Sequence, residues 1–227
     1  MSDPPLNVPY WASMYRVYEE DNEQYLQALA EPDLVERARQ LWKWKDLSRR
    51  IAFTDIAPVI SQLDMDRYVE QRPSTAVRNV SDRLRDEGII SGSGLVTPSF
   101  LLHLAASGPN ASSATFPIYD RRVWNAYAYL WGIRERGERL YRAASQSPDQ
   151  YGEFCQAFRE SCPDGDPRRY EQALFMLGGF IMDLGTGEKP TAVETIDRVL
   201  SEQEQAIEQM QDRTGHAMVD VGAVRTQ

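Results

Sequence analysis

An all-α fold is predicted from three observations. Apolar residues recur at spacings of three and four along nearly all of the 227 residues, and no stretch of useful length alternates with the period of a strand. Most of the periodic runs also open on a Pro, Asp, Ser or Thr of the kind that starts a helix. With 42% hydrophobic and 26% charged residues the composition is that of an ordinary globular chain, long enough to bury a core among roughly eight helices.

The helices follow in order. Trp11, Met14, Tyr15, Tyr18, Tyr25, Leu26 and Leu29 share one face of a first helix. Pro32 and Asp33 open a second, carrying Leu34, Ala38, Leu41, Trp42 and Lys45 and ending near Arg50. Thr54 and Asp55 are expected to cap a third through Leu63, reaching Val69. Pro73 and Ser74 start a fourth, which buries Val77, Val80 and Leu84 and stops at Gly88, a C′ glycine. A Gly/Ser turn over 89–94 leads to Thr97, expected as the N-cap of a fifth helix with Pro98 at its first position. Residues 108–115 read as an exposed polar loop, and a sixth helix starts at about Asp120 with Val123, Trp124, Tyr127, Leu130 and Trp131. Later helices are expected over 138–144, 148–160, 167–184 and 192–211, the last long and acidic. The expected organisation is a single all-α domain over 1–213, with two lobes as its possible division (1–72 plus 138–213 around 73–137) and a tail over 214–227.

Charge and residue counts exclude several function classes. A net charge of -9 and a pI near 4.9 argue against coating nucleic acid by bulk electrostatics, so any such contact must be local. Cys155 and Cys162 have no metal-ligand spacing to a second Cys or a His and are expected as free thiols. With only His103 and His216, a histidine triad or a multi-histidine metal site is ruled out by count, and no cofactor is expected. The start has no basic and apolar signal pattern, and no run approaches the roughly 18 apolar residues that span a bilayer. The expectation is a cytoplasmic protein without a membrane partner.

Several residues carry two readings each. Asp120, after a Pro and before an aromatic-rich helix, is placed either to cap that helix or to hold a catalytic carboxylate. His103 on an apolar helix is either a core histidine or an acid or base. Trp42 to Lys45 alternate aromatic and basic residues, as bundle packing with a snorkelling Lys or as a base-stacking platform. Over 120–142 six arginines, among them Arg121, Arg122 and Arg134, face three acids for a net +3, which is either a phosphate contact or a solvated ion-paired face. Gly178 and Gly179 suggest close helix packing, and the acidic stretch from Glu188 to Asp212 a solvent-facing or partner-binding helix.

A helix, a Gly-containing hairpin, a second helix and then Phe116-Pro117-Ile118-Tyr119-Asp120-Arg121-Arg122-Val123 resembles the helix-hairpin-helix DNA glycosylases, in particular the 8-oxoguanine DNA glycosylase branch. Leu101-Leu102-His103-Leu104 followed by that element looks like a bacterial group of small proteins with the 8-oxoguanine glycosylase fold, some of which accompany antiviral defence genes. The resemblance covers residues 88–132. It implies a catalytic role for Asp120, a hairpin formed by Gly92, Gly94 and Thr97 that grips phosphate with Arg121, Arg122 and Arg134 beside it, and a flipped base stacked on Trp124, Tyr127 or Phe175 near His103. Two departures stand out. Bifunctional members carry a nucleophilic Lys about 19 residues before the Asp, whereas residues 94–104 contain no Lys. The turn Ser91-Gly92-Ser93-Gly94-Leu95-Val96-Thr97 also lacks the Leu-Pro-Gly-Val-Gly form. The implied function is therefore a monofunctional N-glycosylase acting on DNA or a modified purine, or a catalytically silent module binding nucleic acid, a nucleotide or a protein partner, the last through the acidic C-terminal helix.

Overall fold

The computed structural model describes residues 6–92, 94–109, 112–131, 147–162, 165–184 and 193–214. Among them the regular structure is helical and contains no strand. The helices are α1 (Val8–Ser13), α2 (Glu19–Leu29), α3 (Leu34–Trp42), α4 (Phe53–Ile60), α5 (Met65–Val69), α6 (Pro73–Asp86), α7 (Val96–Ala106), α8 (Arg121–Leu130), α9 (Pro148–Ser161), α10 (Pro167–Asp183) and α11 (Val193–Thr214). Short 3-10 turns cover Met14–Tyr18 and Leu47–Arg49. The helix expected over 138–144 and the tail expected over 214–227, apart from Thr214 itself, lie outside the described residues.

The chain forms two compact units. The first consists of Met1–Val17, Arg121–Arg142 and Arg169–Gln227, the second of Tyr18–Asp120 and Ala143–Arg168. These cuts fall elsewhere than the 72/73 and 137/138 boundaries expected for two lobes.

In the second unit α6 packs on α9 and α7, and α3 on α2, α4 and α7. The fourth expected helix starts with Pro73 at its first position and closes on Gly88, whose φ of 71° is the left-handed conformation that lets a helix end in a glycine. Its Val77, Val80 and Leu84 are buried, as their spacing predicts. On α9, Ser147 and Gln150 form a reciprocal capping box, and Tyr151, Phe154 and Phe158 face the core.

Four local expectations are corrected here. The first expected helix breaks into α1, a 3-10 turn and α2, because Tyr15, Val17 and Tyr18 are poor helix formers and Glu19, Glu20 and Asp21 suit a fresh N-terminus. The second ends at Trp42, since Asp46 adopts a left-handed φ of 59° that no helix continues through. The third begins at Phe53, and Asp64 accepts from the Arg67 N–H to cap a separate α5. Thr97 is not a cap: α7 begins at Val96, and Thr97 is buried within its first turn.

In the first unit, α10 approaches α8 so closely that its backbone at Gly178 leaves no room for a side chain. A Cβ there would stand 1.8 Å from the Arg122 carbonyl oxygen. Around this contact Trp11 meets Phe180 at 5.4 Å between ring centroids and Tyr15 meets Phe175 edge-on at 5.7 Å. The expected role of the glycine pair as a helix-packing device is met at Gly178.

Candidate functional site

Asp120 is the last residue of the second unit's first segment, and what holds it there is the buried stretch before it. Phe116, Ile118 and Tyr119 are all buried. The Phe116 N–H donates to Ser113 Oγ, its carbonyl accepts from His103, and the Tyr119 ring packs edge-on against Tyr151 at 5.4 Å and tilted against Phe154 at 5.5 Å. A carboxylate following three anchored residues has little freedom to wander.

Lys45 reaches that carboxylate from the turn after α3, with Nζ donating to Asp120 Oδ2 at 2.9 Å. The pair is largely withdrawn from water, the Lys45 side chain being 8% and the Asp120 side chain 20% exposed. In such a setting the Coulomb attraction is stronger than at the surface and the cost of withdrawing both charges from water offsets part of it, so loss of one partner costs more than it would in an exposed pair. The route of Lys45 is set by its neighbour Trp44, which stacks on Phe100 of α7 at 6.5 Å and packs on Tyr25 of α2 at 5.3 Å. On the same turn Lys43, Arg49 and Arg50 are exposed, so residues 43–50 hold four basic side chains against one acid, Asp46. The alternation of Trp42 to Lys45 thus resolves by residue. Trp42 is core, its indole N–H donating to the Ile51 carbonyl at 2.8 Å, while Trp44 is half-buried.

His103 is fully buried and both ring nitrogens are engaged. Nδ1 lies 2.7 Å from the Phe116 carbonyl, which can only accept, so Nδ1 carries the proton. Nε2 then accepts from the Tyr25 hydroxyl at 2.7 Å, and that oxygen accepts from Ser112 Oγ at 2.7 Å. Burial pulls the His103 pKa down to about 3, so the ring is neutral. Arg37 ties the same region together, donating to the Glu31 carbonyl beyond α2 and to the Leu104 and Ser107 carbonyls at the end of α7. Ser107 Oγ in turn accepts from the Ser113 N–H. The loop expected to be exposed over 108–115 is therefore tucked in at Ser112 and Ser113, whose hydroxyls satisfy buried partners. Arg168 closes the set, its guanidinium 4.1 Å above the Tyr25 ring.

The remaining candidates divide between the units. Gly92 and Gly94 lie in an exposed turn of the second unit. A Cβ on either would meet nothing within 4 Å, and neither needs a left-handed φ. Trp124 and Tyr127 are buried in the first unit, 5.3 Å apart, with Tyr127 continuing to Trp131 at 5.1 Å. The Arg122 guanidinium lies 4.5 Å above the half-buried ring of Phe175, so both members of that pair take part in packing α8 on α10. Arg121 is exposed, and Arg134 lies outside the described residues. Lys45 is the residue that sequence reasoning placed on a helix face without linking it to Asp120. Seventy-five positions separate the two, and no local pattern joins them.

Cys155 is buried, its thiol pushed up to about 12 by that burial, and neither it nor the half-buried Cys162 enters a disulfide. Among the described residues no group of three or more His, Cys, Asp and Glu could hold a metal ion, and no helix is long and apolar enough to cross a membrane. No known protein family, curated protein or solved structure matches the chain.

Proposed function

We propose that this chain is an 8-oxoguanine DNA glycosylase-fold protein that recognises a flipped modified purine in nucleic acid, in DNA repair or anti-phage defence. The observation that carries the proposal is the Lys45–Asp120 pair, in which a carboxylate at the position the family resemblance assigns to catalysis is fixed by a buried segment and met by an ammonium. In the reaction the bond from the sugar C1′ to the purine nitrogen breaks and its electron pair leaves with the base. Asp120 stabilises the positive charge on the sugar, water adds its oxygen to C1′ and gives a proton to the carboxylate, and the departing base is protonated from solvent. Lys45 is the positioning residue in this scheme. The exposed Lys43, Arg49 and Arg50 beside it are the local basic surface that an acidic chain needs for a phosphate backbone.

Single-turnover base release from duplex and single-stranded oligonucleotides carrying 8-oxoguanine and other modified purines tests the proposal. Release by the parent and none by Asp120→Asn is expected. Borohydride is expected to trap no covalent complex, because water and not Lys45 attacks; a trapped complex that disappears in Lys45→Met would replace this scheme with an amine nucleophile.

A second function, a catalytically silent binding module of the same fold, is favoured by the engagement of the Asp120 carboxylate with Lys45. Oligonucleotide binding that both the parent and Asp120→Asn retain, with no base released from any substrate, establishes that function and removes the enzymatic one.

A further inference from the structure

A crevice of about 250 Å³ opens within the first unit, between α1, α8, α10 and α11. Its origin is visible in the sequence of α11. Val193, Ile196 and Leu200 continue one apolar stripe at spacings of three and four, the first two buried and Leu200 half-buried. The next positions in that stripe are Gln203 and Glu204, which line the crevice with polar side chains where the stripe would otherwise be apolar.

The walls have a definite chemistry. Tyr10, Trp11 and Tyr129 supply aromatic surface and Leu130 and Leu177 an apolar floor. Asp197 and Glu204, one on each side of Leu200 along the helix, add two carboxylates, and among the described residues no Lys or Arg lines the space. The arrangement is tied in place. The Tyr129 hydroxyl donates to Asp197 Oδ1 at 2.7 Å, and the Gln203 amide donates to the Tyr10 hydroxyl, so α8 and α1 are each fastened to α11 across the crevice. Aromatic faces with carboxylates attract a cation, and an apolar floor accepts an alkyl body. An anion or a phosphate would meet two negative charges on these walls.

We infer that this crevice is a binding site for a small organic cation, an alkylammonium or quaternary ammonium group with an apolar body. The site shares no residue with the Lys45–Asp120 pair, and the inference does not rest on the glycosylase proposal. Its size suits a headgroup of a few carbons, with the carboxylates selecting charge and the aromatic walls selecting shape.

The test uses the full-length protein and three probes of similar size, titrated by calorimetry and by ligand-observed NMR. Choline carries the charge, 3,3-dimethylbutan-1-ol is its neutral isostere, and pentanoate carries the opposite charge. Choline is expected to bind about tenfold or more tightly than the neutral isostere, pentanoate not at all, and added salt to narrow the difference. Asp197→Asn combined with Glu204→Gln, on the exposed side of α11, is expected to remove the preference for choline while the isostere binds as before. Tyr10→Leu, which keeps an apolar wall without its ring face, is expected to weaken choline more than the isostere. Equal binding of choline and its isostere overturns the inference, as does a preference that survives loss of both carboxylates. Failure of choline to bind at millimolar concentration to a protein with an unchanged circular dichroism spectrum overturns it as well.

Discussion

At the scale of single residues, the second unit is organised by a connected set of buried polar groups around His103. That ring is the clearest case because its protonation can be followed. Its folded pKa of about 3 lies well below the ordinary 6.5, so below pH 6.5 the unfolded chain takes up a proton that the folded chain refuses. The sign is therefore a loss of stability as pH falls from about 6.5 towards about 3, with a slope of up to about 1.4 kcal/mol per pH unit. Denaturant unfolding of the parent and His103→Gln at pH 7 and pH 4.5 checks this. The parent's advantage is expected to shrink on acidification, and a pH-independent difference counts against a neutral buried ring. Removing the ammonium in Lys45→Met takes a charged partner from a carboxylate that is mostly out of water, and a cost of about 1–3 kcal/mol is expected by the same unfolding measurement. Tyr25 shows why such a network escapes pattern reading. It sits correctly on an apolar helix face, yet nothing local reveals that its hydroxyl bridges Ser112 and a histidine 78 positions away.

At the scale of elements, helix existence was legible and helix continuity was not. Pro73, Gly88, Pro148 and Ser147 each announce a boundary by backbone chemistry that operates within a few residues, and the structure keeps those boundaries. The breaks after Ser13 and Trp42 come instead from the weak helix formers around Tyr15 to Tyr18 and from the left-handed backbone of Asp46, neither of which a periodic apolar face displays. The exposed turn holding Gly92 and Gly94 separates structural from functional demand. Because a Cβ has room at both positions and neither φ is left-handed, Gly92→Ala and Gly94→Ala are expected to leave the midpoint of thermal unfolding unchanged or raise it slightly. A fall in oligonucleotide affinity without a fall in stability then marks backbone approach of a ligand. On the proposed function, replacing exposed Lys43, Arg49 and Arg50 on the turn after α3 by Ala is expected to weaken oligonucleotide binding for all sequences alike. The slope of log K against log salt is expected to shrink by about one for each phosphate that the variant no longer neutralises. A slope equal to the parent's sinks that assignment.

At the scale of the whole molecule, the chain passes between its two units at 17/18, 120/121, 142/143 and 168/169. Neither unit is a continuous segment. The second relies on α9, which returns after a stretch assigned to the first and brings Tyr151, Phe154 and Phe158 to the core. A fragment over 18–120 accordingly lacks a wall of its own core, and it is expected to keep helical far-ultraviolet circular dichroism while losing the near-ultraviolet aromatic signal. The all-helical class and the absence of strands among the described residues were legible, since period is a local property. The interleaving was not, because it depends on which helices meet, and α6 with α9 is a pairing of segments more than sixty residues apart.

Gly178 carries a consequence for heredity. Its Cα lies where any side chain would collide with the Arg122 carbonyl, an encroachment expected to cost about 1–3 kcal/mol even for alanine. Every missense change of a glycine codon adds at least a Cβ, so this codon has no tolerated neighbour in sequence space unless α8 and α10 move apart together. In a saturation library scored for folded protein, position 178 is expected to be depleted of all alternatives, while position 179, whose Cβ would meet only the flexible Arg122 side chain at 3.6 Å, accepts alanine and serine.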